Sequence, residues 1–212
     1  MKKSIITIDG PAASGKEKIS KYISRKLNFK HLDSGLFYRR LALVFLNHNI
    51  DLNNPREIKK KIVELNNIPY KKTKNIRTQE ISRLSSKIAV HSFVRVFINK
   101  QQRNFVQNNK SIQGFVIDGR DIGSVVFKRA DLKLYIDVDA KIRAKRRYKQ
   151  LIDSGEKSIY QKILKDIKLR DKKDKSRKNS PLVIPKDAFI INNSGNFSNT
   201  MGEINKLIKN HI

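Results

Sequence analysis

The stretch GPAASGKEK, residues 10–18, lies between the apolar run IITID (residues 5–9) and a segment in which apolar residues recur every three to four positions. Gly10, Gly15 and Lys16 match the spacing G-x-x-x-x-G-K of a phosphate-binding loop, which joins a strand to a helix. In such a loop, backbone N–H groups at the helix N-terminus face the phosphates, and the lysine neutralises the β- and γ-phosphate oxygens. The stretch therefore predicts a nucleotide-binding site within an α/β fold, rather than a chance glycine-rich turn.

Glu17 departs from this pattern, which has serine or threonine after the lysine. Its carboxylate suits the positive end of the helix dipole but would repel a triphosphate, so we expect it to face away from the phosphates. The missing hydroxyl is also the usual direct Mg²⁺ ligand, which leaves the metal to nucleotide oxygens and waters. Asp118, at the end of the apolar run FVID, is a candidate to order those waters, because strand C-termini line the ligand crevice of such sheets. The alternative for Asp118 is a carboxylate that caps the turn DGRD.

Five short apolar runs along the chain alternate with helical patterns, which is typical of a parallel sheet covered on both faces. The runs lie at residues 5–9, 29–33, 115–118, 132–137 and 188–192. The apolar spacing predicts helices after the loop and over about 36–46, 78–106, 140–153, 159–174 and 198–209. The predicted fold class is α/β, a three-layer αβα arrangement with a five-stranded parallel sheet.

Two polar segments interrupt this alternation. Residues 49–76 are rich in Asn and Lys and are the candidate for a small inserted, mobile subdomain. Residues 169–181, which end at Pro181, have the character of a lid segment. The 212 residues otherwise suit a single domain, 1–212, with a sizeable core.

Composition limits the class of protein. Cysteine is absent, which excludes disulfides, thiolate metal sites and a cysteine nucleophile, and suits a cytoplasmic protein. We find no apolar run of about 18 residues and no signal-peptide pattern, so we expect neither a membrane span nor export. The net charge of +28 is compatible with a nucleic-acid surface, but the lysines are scattered, and abundant Lys, Ile and Asn fit an AT-rich gene. We favour the compositional explanation of the charge.

Six motifs occur in order along the chain: DGPAASGK, HLDSGLFYR, IRTQEIS, IDGRDIGSVVF, RAKRRYKQL, and RDKKDKSR followed by SPLV. Together, from about Ile5 to Gly195, they resemble the bacterial cytidylate kinase family of P-loop nucleoside monophosphate kinases. The resemblance implies an enzyme that transfers the γ-phosphoryl group of ATP, with Mg²⁺, to CMP or dCMP. It also implies a cytoplasmic monomer without an obligate protein partner. The implied regions are a core over about 1–48 and 107–212, a truncated monophosphate-binding region over about 49–106, and a lid over about 169–181.

Such a transfer needs no general base, because a phosphate monoester has a second pKa of about 6 and is largely a dianion at neutral pH. Catalysis then reduces to in-line alignment and to neutralising charge on the transferring group, and planar guanidinium groups suit phosphate oxygens. Arg39 lies in the second motif, and further arginines in later motifs are expected to converge with it on the crevice. The predicted catalytic residues are Lys16 and Arg120, together with Arg170 and Arg177, which the resemblance places at phosphates although their spacing alone suits a solvated helix face.

The resemblance adds roles for individual residues. It implies that Asp174 binds the ribose hydroxyls and that Asp121, with Ser86 and Arg95, reads the cytosine edge. Asp121 would accept from the cytosine N4 amino group and repel the uracil 4-carbonyl group, so we expect CMP to outperform UMP. The implied CMP-binding residues are Ser34, Arg39, Ser86, Arg95, Arg120, Asp121, Arg170, Asp174 and Arg177. The implied ATP-binding residues are Gly10, Pro11, Ala12, Ala13, Ser14, Gly15, Lys16, Glu17, Lys18 and Arg146. Ordinary ion pairs are the alternative for the Asp174 and Asp121 positions.

Two departures from the family pattern bear on function. The family commonly has Gly-Thr after the loop lysine, where this chain has Glu17 and Lys18, two changes that bear on metal geometry and turnover. The chain is also short before IRTQE, where NNIPYKKTKNI (66–76) replaces β-hairpin segments, so we expect a reduced antiparallel sheet there. The alternatives to a CMP kinase are a kinase of another small acceptor, such as UMP, and a non-catalytic basic P-loop protein that binds nucleic acid. The absence of Trp disfavours the last of these.

Overall fold

The computed structural model of the chain describes residues 3–71, 73, 76 and 78–212. Within these residues it holds five strands and eight α-helices: β1 (Ser4–Asp9), α1 (Lys16–Leu27), β2 (Lys30–Asp33), α2 (Ser34–Asn47), α3 (Pro55–Glu64), α4 (Gln79–Ile88), α5 (Ser92–Asn108), β3 (Gly114–Gly119), β4 (Leu132–Asp137), α6 (Ala140–Asp153), α7 (Tyr160–Ser176), β5 (Phe189–Asn192) and α8 (Phe197–His211). A π-helical turn, Ile122–Val126, follows β3. The chain divides into two compact units, the first comprising the residues up to Leu32 together with Ile112–Ile212, and the second Asp33–Ser111.

The first unit is built on a five-stranded sheet in the order β2-β3-β1-β4-β5. β1 is central and pairs in parallel with β3 and β4, so that Ile6 lies opposite Val116 and Leu132. β4 pairs in parallel with β5. The inner strands are apolar because helices cover them, and α1 and α8 contribute to this core Ile19, Ile23, Met201, Ile204 and Ile208. The predicted α/β class with a five-stranded parallel sheet is confirmed.

The second unit is built from helices α2 to α5. α2 packs against α4 and α5, and α3 packs against α5. The unit begins well before the composition change at residue 49, because α2 buries an apolar face in it through Leu36, Phe37, Leu41 and Phe45. The described residues of 49–106 contain no strand, so no antiparallel sheet forms among them. Residues 72, 74, 75 and 77, in NNIPYKKTKNI and IRTQEIS, lie outside the described residues.

The helix predicted over 78–106 is two helices, α4 and α5, and this part of the prediction is wrong. His91 has extended geometry (φ −77°, ψ 127°), which ends the helical path. The Nε of Arg95 donates to the carbonyl oxygen of Ala89 at 2.8 Å, which satisfies a carbonyl at the end of α4. An apolar period continues across such a break, so periodicity alone does not reveal it.

The segment predicted as a lid, 169–181, begins inside α7 and continues beyond the end of that helix at Ser176. Directly after this segment the chain turns back on the helix, because the backbone N–H of Leu182 donates to the carbonyl oxygen of Asp174 at 2.8 Å. Its function as a lid stays a prediction. In the described part of the chain, no helix is both long enough and apolar enough to cross a membrane.

Candidate active site

The loop between β1 and α1 has the geometry that its sequence predicts. Gly10 and Gly15 have positive φ angles of 150° and 86°, and α1 begins directly after Gly15. A Cβ on Gly10 would lie 2.4 Å from the carbonyl oxygen of Ile136, so only glycine fits there. A Cβ on Gly15 would lie 2.6 Å from the Nδ2 of Asn193. The loop therefore needs glycine at both positions, for its backbone angles and for the close approach of its neighbours.

Lys16 points back over this loop. Its ammonium donates to the carbonyl oxygen of Pro11 at 2.7 Å and to the Oγ of Ser14 at 3.4 Å, and the residue is only 6% exposed. Burial lowers the pKa of Lys16 well below its ordinary value, and the nearby Arg120 lowers it further. A cation that is desolvated and crowded by another cation is stabilised by an anion, so this position favours phosphate oxygens.

The two unusual residues after Lys16 are both directed to neighbours outside the loop. The Oε1 of Glu17 pairs with the Nζ of Lys21, one turn further along α1, at 2.7 Å. The ammonium of Lys18 lies 4.0 Å from the ring centroid of Phe197 in α8. The ammonium of Lys18 therefore lies against α8, whereas the ammonium of Lys16 lies over the loop.

A cluster of opposite charges lies near the loop in the first unit. The carboxylate of Asp174 in α7 accepts from Arg120 at 3.1 Å and from Arg177 at 3.0 Å. Burial alone would raise the pKa of Asp174, but Arg120, Arg177 and Arg170 together hold it below its ordinary value. Arg120 and Arg170 also lower the pKa of Lys16. Through these interactions and those with Asp174, the four predicted catalytic residues belong to one cluster of charges.

Asp9, at the end of β1, is a buried residue whose role the sequence did not reveal. Its two carboxylate oxygens accept the backbone N–H groups of Ile122 (2.8 Å) and Gly123 (2.7 Å). This pairing holds the π-helical turn that directly follows Asp121, which is itself only 4% exposed. Burial raises the pKa of Asp9 to about 6, and the nearby Asp121 contributes to the increase.

The raised pKa of Asp9 makes a prediction for stability. The folded-state pKa of about 6 exceeds the ordinary value of 3.8, so this group favours folding below about pH 4 and loses that contribution as the pH rises through 6. The difference corresponds to about 3 kcal/mol of unfolding free energy between pH 4 and pH 7. In urea unfolding, the free energy of unfolding of Asp9→Asn relative to that of the wild type should therefore rise by this amount from pH 4 to pH 7. A pH-independent difference would contradict the prediction.

Asp118, the predicted partner of metal-bound water, ends β3 and is 7% exposed. Its Oδ1 lies 2.5 Å from the Nε2 of His31 on β2, and its charge acts on Lys16. Among the described residues, no group of three His, Cys, Asp or Glu side chains could hold a metal ion. The donor set near the loop thus fits Mg²⁺ only where nucleotide oxygens and waters supply most of the ligands.

Two contacts to the loop were missed by the sequence analysis. The buried Arg143 donates to the carbonyl oxygen of Ala12 at 3.0 Å and pairs with Asp171 of α7. The Nδ2 of Asn193 donates to the carbonyl oxygen of Ser14 at 2.9 Å. Arg146, the arginine proposed at this side, instead donates to the carbonyl oxygen of Ser194 at 3.3 Å. The motif RAKRRYKQL predicts an arginine of α6 near the loop, but its sequence does not show that Arg143 rather than Arg146 contacts the loop.

The remaining predicted residues lie in the second unit. Ser34 is the first residue of α2, and the guanidinium of Arg39 donates to the carboxylate of Asp33 at 3.3 Å. Arg95 lies in the first turn of α5 and approaches the hydroxyl of Tyr38 at 3.5 Å. Ser86 donates to the carbonyl oxygen of Ser82 within α4 at 3.0 Å. The structure thus places Ser34 and Arg39 at one helix N-terminus and Ser86 and Arg95 on two other helices.

Comparison with known proteins gives consistent results. A family model described as cytidylate kinase matches residues 6–210. The cytidylate kinase of Bartonella tribocorum is 37% identical over 225 residues, which cover 100% of this chain and 99% of that protein. The cytidylate kinase of Rickettsia felis is 39% identical over 208 residues, covering 98% and 92%. The crystal structure of TT1252 from Thermus thermophilus matches the whole of both chains with a TM-score of 0.56 at 12% identity, which supports the fold alone.

Proposed function

We propose that this chain, which belongs to the cytidylate kinase family, transfers the γ-phosphoryl group of ATP to CMP or dCMP, forming ADP and CDP or dCDP. The observation that carries the proposal is the convergence of Lys16 with three arginines. Charge on a transferring phosphoryl group is spread over its oxygens, so a set of fixed cations in a buried site stabilises the transition state. The acceptor phosphate is already a nucleophilic dianion, so no side chain has to remove a proton.

On the donor side, we propose that the ATP phosphates lie along the loop of residues 10–18. The backbone N–H groups at the start of α1 would donate to their oxygens, and Lys16 would exchange its contact with Pro11 for the β- and γ-phosphates. Arg143 and Asn193 would hold the loop carbonyls of Ala12 and Ser14 away from the phosphates. Mg²⁺ bound with ATP supplies further charge neutralisation at the phosphates, and Asp118 would hold it through water.

On the acceptor side, we propose separate roles for residues of each unit. In the second unit, Ser34 and Arg39 would bind the acceptor phosphate at the start of α2, while Ser86 and Arg95 would contact the base. In the first unit, Arg120, Arg170 and Arg177 would bind phosphate oxygens, Asp174 the ribose hydroxyls, and Asp121 the cytosine N4 amino group. Arg120 and Arg177 already bond to Asp174, so ribose binding there would adjust an existing network rather than order free side chains.

The test of this function is release of ADP from ATP with CMP, dCMP, UMP or AMP as acceptor, and with no acceptor. We expect rapid release with CMP and dCMP, much slower release with UMP and AMP, and only background hydrolysis without acceptor. Release that is equal with and without every acceptor would overturn the proposal. We also propose that the enzyme is cytoplasmic, where nucleotide substrates of this kind are found. We propose further that it acts as a monomer, which its mass in solution tests.

The double replacement Glu17→Gly with Lys18→Thr is expected to change turnover with ATP and CMP only modestly. Glu17 pairs with Lys21, and the ammonium of Lys18 lies over the ring of Phe197. Exposed pairs of this kind contribute little, so the change should stay within about fivefold. The measurement is kcat and the KM for ATP over a range of Mg²⁺ concentrations. A change of turnover by an order of magnitude or more would show that one of the two side chains acts at the phosphates.

A further inference from the structure

The short segment that replaces the family's hairpins is anchored to α5. The side-chain amide of Gln101 accepts from the backbone N–H of Ile68 at 3.3 Å and donates to the carbonyl oxygen of Asn66 at 3.4 Å. Gln101 is 4% exposed and Ile68 is 2% exposed, so these contacts are buried. The segment from Asn66 to Pro69 is therefore held in one place, directly before Tyr70.

Tyr70 extends this anchoring to α2. Its ring centroid lies 5.3 Å from that of Phe37 in α2 and 4.7 Å from that of Phe105 in α5. Such tilted aromatic contacts fix the direction of the ring. The hydroxyl oxygen of Tyr70 accepts the backbone N–H of Asp33 at 2.7 Å. The ring thus carries its hydroxyl to the residue that immediately precedes α2.

Asp33 controls the geometry of the first turn of α2. It is the N-cap residue, with extended angles of φ −75° and ψ 101°, and it is 6% exposed. Its carboxylate accepts from Arg39, and a Cβ on Gly35 would lie 3.1 Å from its Oδ1. The position of Asp33 therefore determines both where the N–H groups of this turn point and where Arg39 is held.

We propose that Tyr70 is a positioning residue for the acceptor phosphate. By holding the backbone of Asp33, it keeps Ser34 and Arg39 arranged at the start of α2, where an anion is favoured. The inference rests on the proposed function, because it assigns the acceptor phosphate to this helix N-terminus. It also gives a role to the short segment that replaces the family's β-hairpins, because this segment supplies the Tyr70 hydroxyl that positions Asp33.

The test is Tyr70→Phe, which keeps the ring between Phe37 and Phe105 and removes only the hydroxyl. Loss of one such hydrogen bond should raise the KM for CMP roughly fivefold. The KM for dCMP should rise by the same factor, because the contact concerns the phosphate, which the two acceptors share. The kcat and the KM for ATP should stay near wild-type values, and the urea midpoint should fall no further than the loss of one hydrogen bond explains.

Tyr22→Phe is the matched control. The hydroxyl of Tyr22 in α1 accepts from the side chain of Asn205 in α8 at 3.0 Å. This variant therefore also loses a hydroxyl contact, but one between α1 and α8. It should leave the KM for CMP unchanged. An unchanged KM for CMP in Tyr70→Phe, or an equal rise in Tyr22→Phe, would overturn the inference while leaving the kinase function intact. Absence of CMP-dependent ADP release by the wild type would instead overturn the proposed function.

Discussion

Replacement of Lys16 by methionine is expected to lower kcat at saturating ATP and CMP by about a thousandfold, the scale seen when a preorganised charge-stabilising group is removed. Methionine has nearly the same length and an apolar stem, so the loop can keep its packing. The lost ammonium is a buried cation of the loop that donates to Pro11 and Ser14. The measurement is steady-state ADP release, with urea unfolding of the same preparation.

Unfolding separates this effect from simple damage. Because burial lowers the pKa of Lys16, keeping its charge inside the fold costs free energy, and Lys16→Met should be at least as stable as the wild type. Lys21→Met is the matched control, since Lys21 lies on the same helix and pairs with Glu17 at an exposed position. It should retain turnover. Near-normal kcat in Lys16→Met would show that the loop lysine does not act on the transferred group.

Asp121→Ala is expected to reduce the preference for CMP over UMP by about a hundredfold or more, as measured by the ratio of kcat/KM values. A carboxylate accepts from the cytosine N4 amino group and repels the carbonyl oxygen that uracil has in its place. Alanine removes both effects, so activity with CMP should fall while activity with UMP holds or rises. The backbone carbonyl of Asp121 accepts from Val125 at 2.9 Å, and this support of the turn survives the substitution.

Asp139→Ala provides the comparison for this experiment. Asp139 is also an aspartate before a helix, and its side chain accepts the backbone N–H of Lys141 at 2.7 Å. Its loss should lower stability slightly and leave the ratio of CMP to UMP activity as in the wild type. If Asp121→Ala also keeps the wild-type ratio, another group reads the base, and the assignment of Asp121 is wrong.

Most elements of the fold could be predicted because their signals are local. Each of the five apolar runs became a strand within one or two residues of its predicted limits. The break between α4 and α5 could not be predicted, since it depends on His91 and on the bond from Arg95 to Ala89. α3 was missed although Asn54 and Pro55 mark its start, because the polar composition of residues 49–76 obscured that signal.

The site likewise has residues that could be predicted from local sequence and residues that could not. Gly10, Gly15 and Lys16 could be predicted from their spacing, since the motif of residues 10–16 is specified by its own backbone requirements. The partners of that loop and of α2 could be identified only in the folded chain. Asp9 meets Gly123, Arg143 meets Ala12, and Tyr70 meets Asp33 across separations of 114, 131 and 37 residues.

The loop, the order of strands and helices along the chain and the chemistry of a phosphate site therefore follow from residue types at short spacing, where each turn of backbone restricts its neighbours. The hydrogen bonds and ion pairs that orient the side chains of this site depend instead on tertiary packing. They depend on which side chains the sheet and helices bring within about 3 Å of one another, a distance set by many buried contacts at once. For this reason, the contact of Lys18 with Phe197, the cluster around Asp174 and the contact of Tyr70 with Asp33 emerged only from the tertiary structure.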